Sequence, residues 1–129
     1  MHMKKKAFKK FLLIGLPLML VMAACDYEFI DPVETEVPDQ VSFSNDVMPI
    51  FNQSCNMSGC HVEGHPAVDL SPGNAYGDIS DKNLVDVQNP QQSRLYSILV
   101  ESGSSHGGRS TPGQQAIILK WIKQGAPDN

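Results

Sequence analysis

The chain has 129 residues, with 14 acids against ten lysines and arginines and a formal net charge of −4. The charges are segregated: five lysines fall in residues 4–10, and all 14 acids come after residue 24. An acidic remainder of this kind has no electrostatic footprint for nucleic acid, and its length allows one small domain.

Residues 4–10 are followed by an apolar stretch, Phe11 to Ala24, that ends in small residues before Cys25. A basic segment, an apolar segment and small residues at the cut describe a secretory signal rather than a folded element. The apolar run of about 14 residues falls short of the roughly 20 that a bilayer-spanning helix needs. Removing residues 1–24 leaves only Lys82, Arg94, Arg109, Lys120 and Lys123 as bases, and a charge of −9. Val21-Met22-Ala23-Ala24-Cys25 resembles the lipobox of bacterial lipoproteins, with Met22 where that family usually has Leu. The resemblance implies a diacylglycerol thioether on Cys25, which becomes the new N-terminus. Acyl chains contribute ~0.8 kcal/mol per buried CH2, so two or three of them anchor a chain firmly. The alternative is an ordinary secretory signal with a chance Cys at its end. Residues 26–40 carry six acids, no base and two prolines, the composition of a solvated tether.

A folded domain is expected over residues 41–129. Ser44-Asn45-Asp46 offers a helix cap, and Val47, Met48, Ile50 and Phe51 follow as an apolar stripe, which predicts a helix over about 45–54. Residues 62–89 are rich in Gly, Pro, Asp and Asn and read as loop with at most short helical turns. Leu95, Ile98 and Leu99 repeat at helical spacing after Asn89-Pro90, predicting a second helix over about 91–101. Gly103 to Gly108 reads as flexible. Thr111-Pro112-Gly113-Gln114 is a capping box with Pro at the first helical position, and Ile117, Ile118, Trp121 and Ile122 form the apolar face of a third helix, over 112–124. No stretch alternates as a strand would. The fold class expected is all-α, with about three main helices and long Gly/Pro-rich loops.

The chemistry lies in one cluster. Cys55-Asn56-Met57-Ser58-Gly59-Cys60-His61 sets two thiols five positions apart with a His directly after the second. Covalent haem attachment needs that order: each thiol forms a thioether with one vinyl group, and the adjoining His is the proximal iron ligand. Four residues separate the thiols instead of the usual two, and Gly59 helps the longer loop turn tightly. Two other readings compete, a Cys55–Cys60 disulfide and a zinc site from Cys55, Cys60 and two of His61, His65 and His106. Neither requires a His immediately after the second Cys.

Residues 41–55, together with Asp69-Leu70-Ser71-Pro72-Gly73-Asn74-Ala75-Tyr76, Ser93-Arg94-Leu95-Tyr96 and Ile118 to Ala126, resemble the small cytochrome c domains carried by bacterial lipoproteins. The resemblance spans essentially all of 41–126. It implies a cytochrome c-like fold around haem c, with the first and last helices crossing beside it, Cys55 and Cys60 as thioether sites, and His61 as proximal ligand. It also implies an electron carrier rather than an enzyme. Its partners would be redox proteins, the c-haem maturation machinery and, through Cys25, the periplasmic or outer face of a bacterial membrane.

Many relatives have Gly-Gly-Arg-Met-Pro, with Met as the sixth iron ligand, where this chain reads Gly107-Gly108-Arg109-Ser110-Thr111-Pro112. Met57 lies inside the attachment loop and Met48 on the leading helix. His106, four residues before Ser110, is the better candidate for distal ligand. His65 is a weaker one, because four residues from His61 span at most about 14 Å. A site open on its distal side would instead suit a five-coordinate haem sensor or peroxidase-like module. Trp121 and Tyr96 read as packing residues, and Arg109 as either a partner for a haem propionate or a solvated loop residue.

Overall fold

The computed structural model describes residues 36–129, within a unit that spans Glu34–Asn129. The lipobox, Cys25 and most of the acidic tether lie outside the described residues. Among those described there is no strand, no cis peptide bond and no helix long and apolar enough to cross a membrane. The domain is a small all-α bundle of four helices. A π-helical turn, Phe43–Val47, runs directly into α1, Met48–Ser54. Helix α2 covers Ala75–Asp81, a 3-10 turn Pro90–Gln92 precedes α3, Arg94–Val100, and α4 covers Pro112–Lys123.

The leading helix starts two residues earlier than its pattern suggests. Its cap is Ser42, whose hydroxyl accepts from the Asn45 N–H at 3.2 Å, while Asp46 accepts from the Ser42 N–H at 2.7 Å. Ser42 wins over Ser44 because Asp46, three residues after Ser44's neighbour Phe43, reaches back to close a reciprocal pair on Ser42. The capping box of α4 forms as its sequence indicates: the Thr111 hydroxyl accepts from the Gln114 N–H, and the Gln114 side chain accepts from the Thr111 N–H.

Helix α2, seven residues long, lies in the stretch expected to be loop with at most short helical turns, and it is the fourth helix beside the three predicted. Its seven residues include Gly77 and two aspartates, so propensity alone is poor. Burial of Ala75 and Ile79 on one face, with a Lys82–Asp78 ion pair on the other, sustains it. The helix expected over 91–101 is divided by Ser93, whose backbone is extended at φ −50° and ψ 130°. Its buried hydroxyl accepts from the Asp86 N–H at 2.8 Å and donates to the Asp86 carbonyl at 3.2 Å, and this anchorage leaves Pro90–Gln92 as a separate turn.

The core joins the first turn to the last helix. Trp121 is fully buried, with Phe43 tilted against it at a ring separation of 5.2 Å and Tyr76 edge-on at 6.5 Å. Val47, Phe51, Ile118 and Ile122 complete the same cluster, and Ile117, expected to be buried, is half-buried at its margin. Polar bonds tie the same two ends together. Gln124 accepts from the Val41 N–H at 3.0 Å, and Asn129 accepts from the Phe43 N–H at 2.7 Å and the Ser44 N–H at 2.8 Å. On the far side Gln114 donates to Gln53 at 2.9 Å, holding the start of α4 against the end of α1. That contact places α4 beside the segment that follows Ser54, where the two thiols lie.

Candidate functional site

The chain leaves α1 at Cys55, and a turn closed by the Cys60 N–H on the Met57 carbonyl at 2.8 Å reverses it. Gly59 sits in that turn at φ +80°, a conformation that side chains disfavour. The His61 N–H then donates to the Cys55 carbonyl at 3.1 Å, which closes the loop and sets Cys60 and His61 beside Cys55. Both cysteines are free thiols and half-buried. Burial pushes the Cys55 thiol above its ordinary value, the neighbouring Cys60 adds to that, and Arg109 opposes both. Cys55 is therefore held as a neutral thiol near pH 7.

The returning loop orients His61. Its ring Nδ1 lies 3.0 Å from the Val68 carbonyl, which can only accept, so Nδ1 carries the proton and Nε2 presents a lone pair. Asp69 fixes the position of that carbonyl. One of its oxygens accepts from the Ser71 N–H and hydroxyl, and the other accepts from the Gly64 N–H at 2.8 Å and the Asn74 amide at 3.1 Å. The Leu70 N–H donates back to the His61 carbonyl at 2.9 Å. The Ser71 hydroxyl, with these backbone and amide donors, lowers the Asp69 carboxyl from 3.8 to about 2, against a smaller opposing effect of burial. The unfolded chain thus takes up a proton near pH 3.8 that the folded chain refuses until about pH 2. The stability this contributes is present above pH 3.8 and is lost as pH falls towards 2. Asp69→Asn should lower the unfolding midpoint at neutral pH and flatten its acid dependence between pH 4 and 2, which denaturant titrations across that range would measure.

His106 arrives from the opposite side on the segment between α3 and α4. That segment read as flexible, and the structure gives it internal supports. The Ser104 hydroxyl donates towards the Ile98 and Glu101 carbonyls and accepts from the His106 and Gly107 N–H groups, at 3.0 to 3.3 Å. A side chain on Gly107 would meet the Glu101 carbonyl at 2.9 Å, so the residue must be glycine for the loop to close. Gln115 of α4 donates to the Ser110 carbonyl and hydroxyl and to the Leu99 carbonyl, at 3.2 to 3.3 Å. Ser110 is buried in that clamp and does not line the cleft.

The imidazoles of His61 and His106 face each other in the cleft. Their Nε2 atoms are 3.5 Å apart, and the rings lie within 24° of parallel. Metal–imidazole bonds run about 2.0–2.1 Å, so two nitrogens sharing one ion stand about 4 Å apart, and a small outward shift would accommodate it. Burial first, then His61, Arg109 and Arg94, lower the His106 proton affinity below the ordinary 6.5, which keeps this ring a neutral donor at neutral pH. His65 is placed differently: its Nδ1 accepts from the Ala67 and Val68 N–H groups, and its ring lies edge-on to His61 at 5.0 Å, on the His61 side.

Two cavities flank the imidazole pair, one of about 240 Å³ and one of about 320 Å³. Cys55, His61, Leu99 and His106 line both, so the cavities are halves of one cleft. Cys60, His65 and Arg109 line the smaller half; Val68, Leu70, Leu84, Leu95, Ile98 and Arg94 line the larger and more apolar one. Cys55, Cys60, His61 and His106 are thus brought to one place. Among the described residues no group of three or more His, Cys, Asp or Glu side chains is set to hold a bare metal ion. A haem iron asks for only two side-chain ligands, since the porphyrin supplies the other four. Two thiols, two facing imidazoles and an apolar wall between helices are groups that could hold a haem. Val68, Ser104 and Gln115 escaped the sequence reading, and Asp69 was singled out only within a loop, although its Asp69-Leu70-Ser71 pattern is one that side-chain-to-backbone turns favour. No family model matches the chain, and neither a curated protein nor a solved structure does.

Proposed function

We propose that this domain is a monohaem c-type cytochrome, anchored through Cys25 at the outer side of a bacterial membrane, that carries single electrons. The observation that carries the reading is the facing pair of Nε2 atoms, 3.5 Å apart, in a cleft that both thiols line. Cys55 and Cys60 would hold the macrocycle covalently, His61 would be the proximal ligand and His106 the distal one. When bound, haem would supply a one-electron iron couple.

The remaining work belongs to the chain. The Val68 carbonyl holds the proton on Nδ1 of His61 and keeps its Nε2 free to bind. Ser104 accepts from the His106 N–H and Gln115 ties Ser110 to Leu99, which would hold the His106 loop in place on binding. Leu84, Leu95, Ile98 and Leu99 line the larger half of the cleft with hydrocarbon and would shield a bound ring from water. Two imidazole ligands would place the reduction potential below that of a His/Met site, since Met ligation raises it.

Protein matured in a host with c-haem machinery should keep its haem after denaturation and acid–acetone extraction, and Cys55→Ala with Cys60→Ala should keep none. A wild-type preparation without covalent haem, made beside a positive control, would refute the reading. A Cys55–Cys60 disulfide or bound zinc found instead would assign the domain to a stapled lipoprotein module.

A further inference from the structure

We infer that Arg94, and not Arg109, anchors a carboxylate arm of the bound macrocycle; this rests on the haem reading above. The thiols fix the direction of the ring. In haem the two vinyl positions that take up thiols lie on one half of the macrocycle, and the two propionates lie on the other. Cys60 lines only the smaller half of the cleft, and Arg94 lines only the larger half, across the imidazole pair. With its vinyl side held at Cys55 and Cys60 and its centre between His61 and His106, the ring extends its propionate side into the larger half. There the walls are hydrocarbon, from Leu84, Leu95 and Ile98, and Arg94 is the one charged residue among them. An apolar cavity with a single guanidinium at an exposed position suits a flat apolar body with an anionic edge.

The two arginines also differ in what they already hold. Arg109 donates from Nε to the Ser105 carbonyl at 3.0 Å, which folds it over its own loop on the thiol side. Arg94 begins α3 and, among the described residues, makes no ion pair.

The full chain, matured with haem carrying 13C-labelled propionates, decides the matter by redox-difference infrared spectroscopy of the Arg94→Gln, Arg94→Lys and Arg109→Gln proteins. Arg94→Gln should move the labelled carboxylate band, Arg94→Lys should move it less, and Arg109→Gln should leave it in place. Loss of the Arg94 cation should also favour ferric iron about threefold, roughly 30 mV of midpoint at 59 mV per tenfold, and Arg94→Lys should restore that shift. The covalent haem content of the wild type is read first, and its absence overturns the cytochrome reading and this anchor together. Normal covalent haem with an unmoved band in Arg94→Gln, or a band that moves in Arg109→Gln alone, overturns the anchor and leaves the cytochrome reading standing.

Discussion

In the proposed haem protein, His106→Ala is expected to turn the ferric form from low spin to high spin and to open the ferrous iron to carbon monoxide, while His65→Ala does neither. The difference comes from where the two rings are held. His106 faces Nε2 of His61 across the cleft, whereas His65 is bonded to the Ala67 and Val68 backbone on the His61 side. Covalent haem should persist in both variants, because the thiols and His61 are untouched. The wild-type low-spin spectrum should also hold as pH falls through 6.5, since burial already lowers the proton affinity of His106, and give way to high spin only at more acid pH. A ferric wild type that is high-spin near neutral pH would remove the bis-imidazole assignment. A spin change in His65→Ala alone would move the sixth ligand to the wrong side of the cleft for this structure.

The parts of the fold that were legible in the sequence are those in which local chemistry and burial agree. Thr111 to Gln114 specify a cap by themselves, and Ile118, Trp121 and Ile122 after them are buried on one face. The spacing of Cys55, Cys60 and His61 brings three donors together because one turn and one backbone bond suffice to close the loop. What was hidden depends on residues far away in sequence or on polar side chains without a periodic signature. Helix α2 exists because Ala75 and Ile79 find the core, not because its residues favour a helix. The loop holding His106 looks flexible in its Gly and Ser content, yet Ser104 satisfies four backbone groups and Gln115 reaches it from α4. The position of Arg94 across the imidazole pair from Cys60 has no trace in the sequence, because it follows from how α3 packs.

Trp121→Ala should unfold most of the protein, and the reason lies in how little core there is. The ring is fully buried and touches Phe43 of the first turn and Tyr76 of α2, so it links three segments distant in the chain. Its indole N–H donates to the Pro127 carbonyl at 2.9 Å, which also fixes the chain after α4. Replacing a buried Trp by Ala costs about 3–5 kcal/mol, against a total of about 5–15 kcal/mol for an ordinary domain and less for a small one. Trp121→Phe separates the two contributions: it keeps most of the ring contact and leaves the Pro127 carbonyl without its donor, a loss of about 1–3 kcal/mol. Guanidinium denaturation followed by circular dichroism should therefore rank wild type, Phe and Ala in that order, with helical signal largely lost in the last. An Ala variant as stable as the wild type would mean that α4 is not held to the first turn through Trp121. The segments would then be held by Tyr76, which is edge-on to Phe43 at 5.2 Å and donates to the Ala126 carbonyl at 3.0 Å, and by the polar bonds of Gln124 and Asn129.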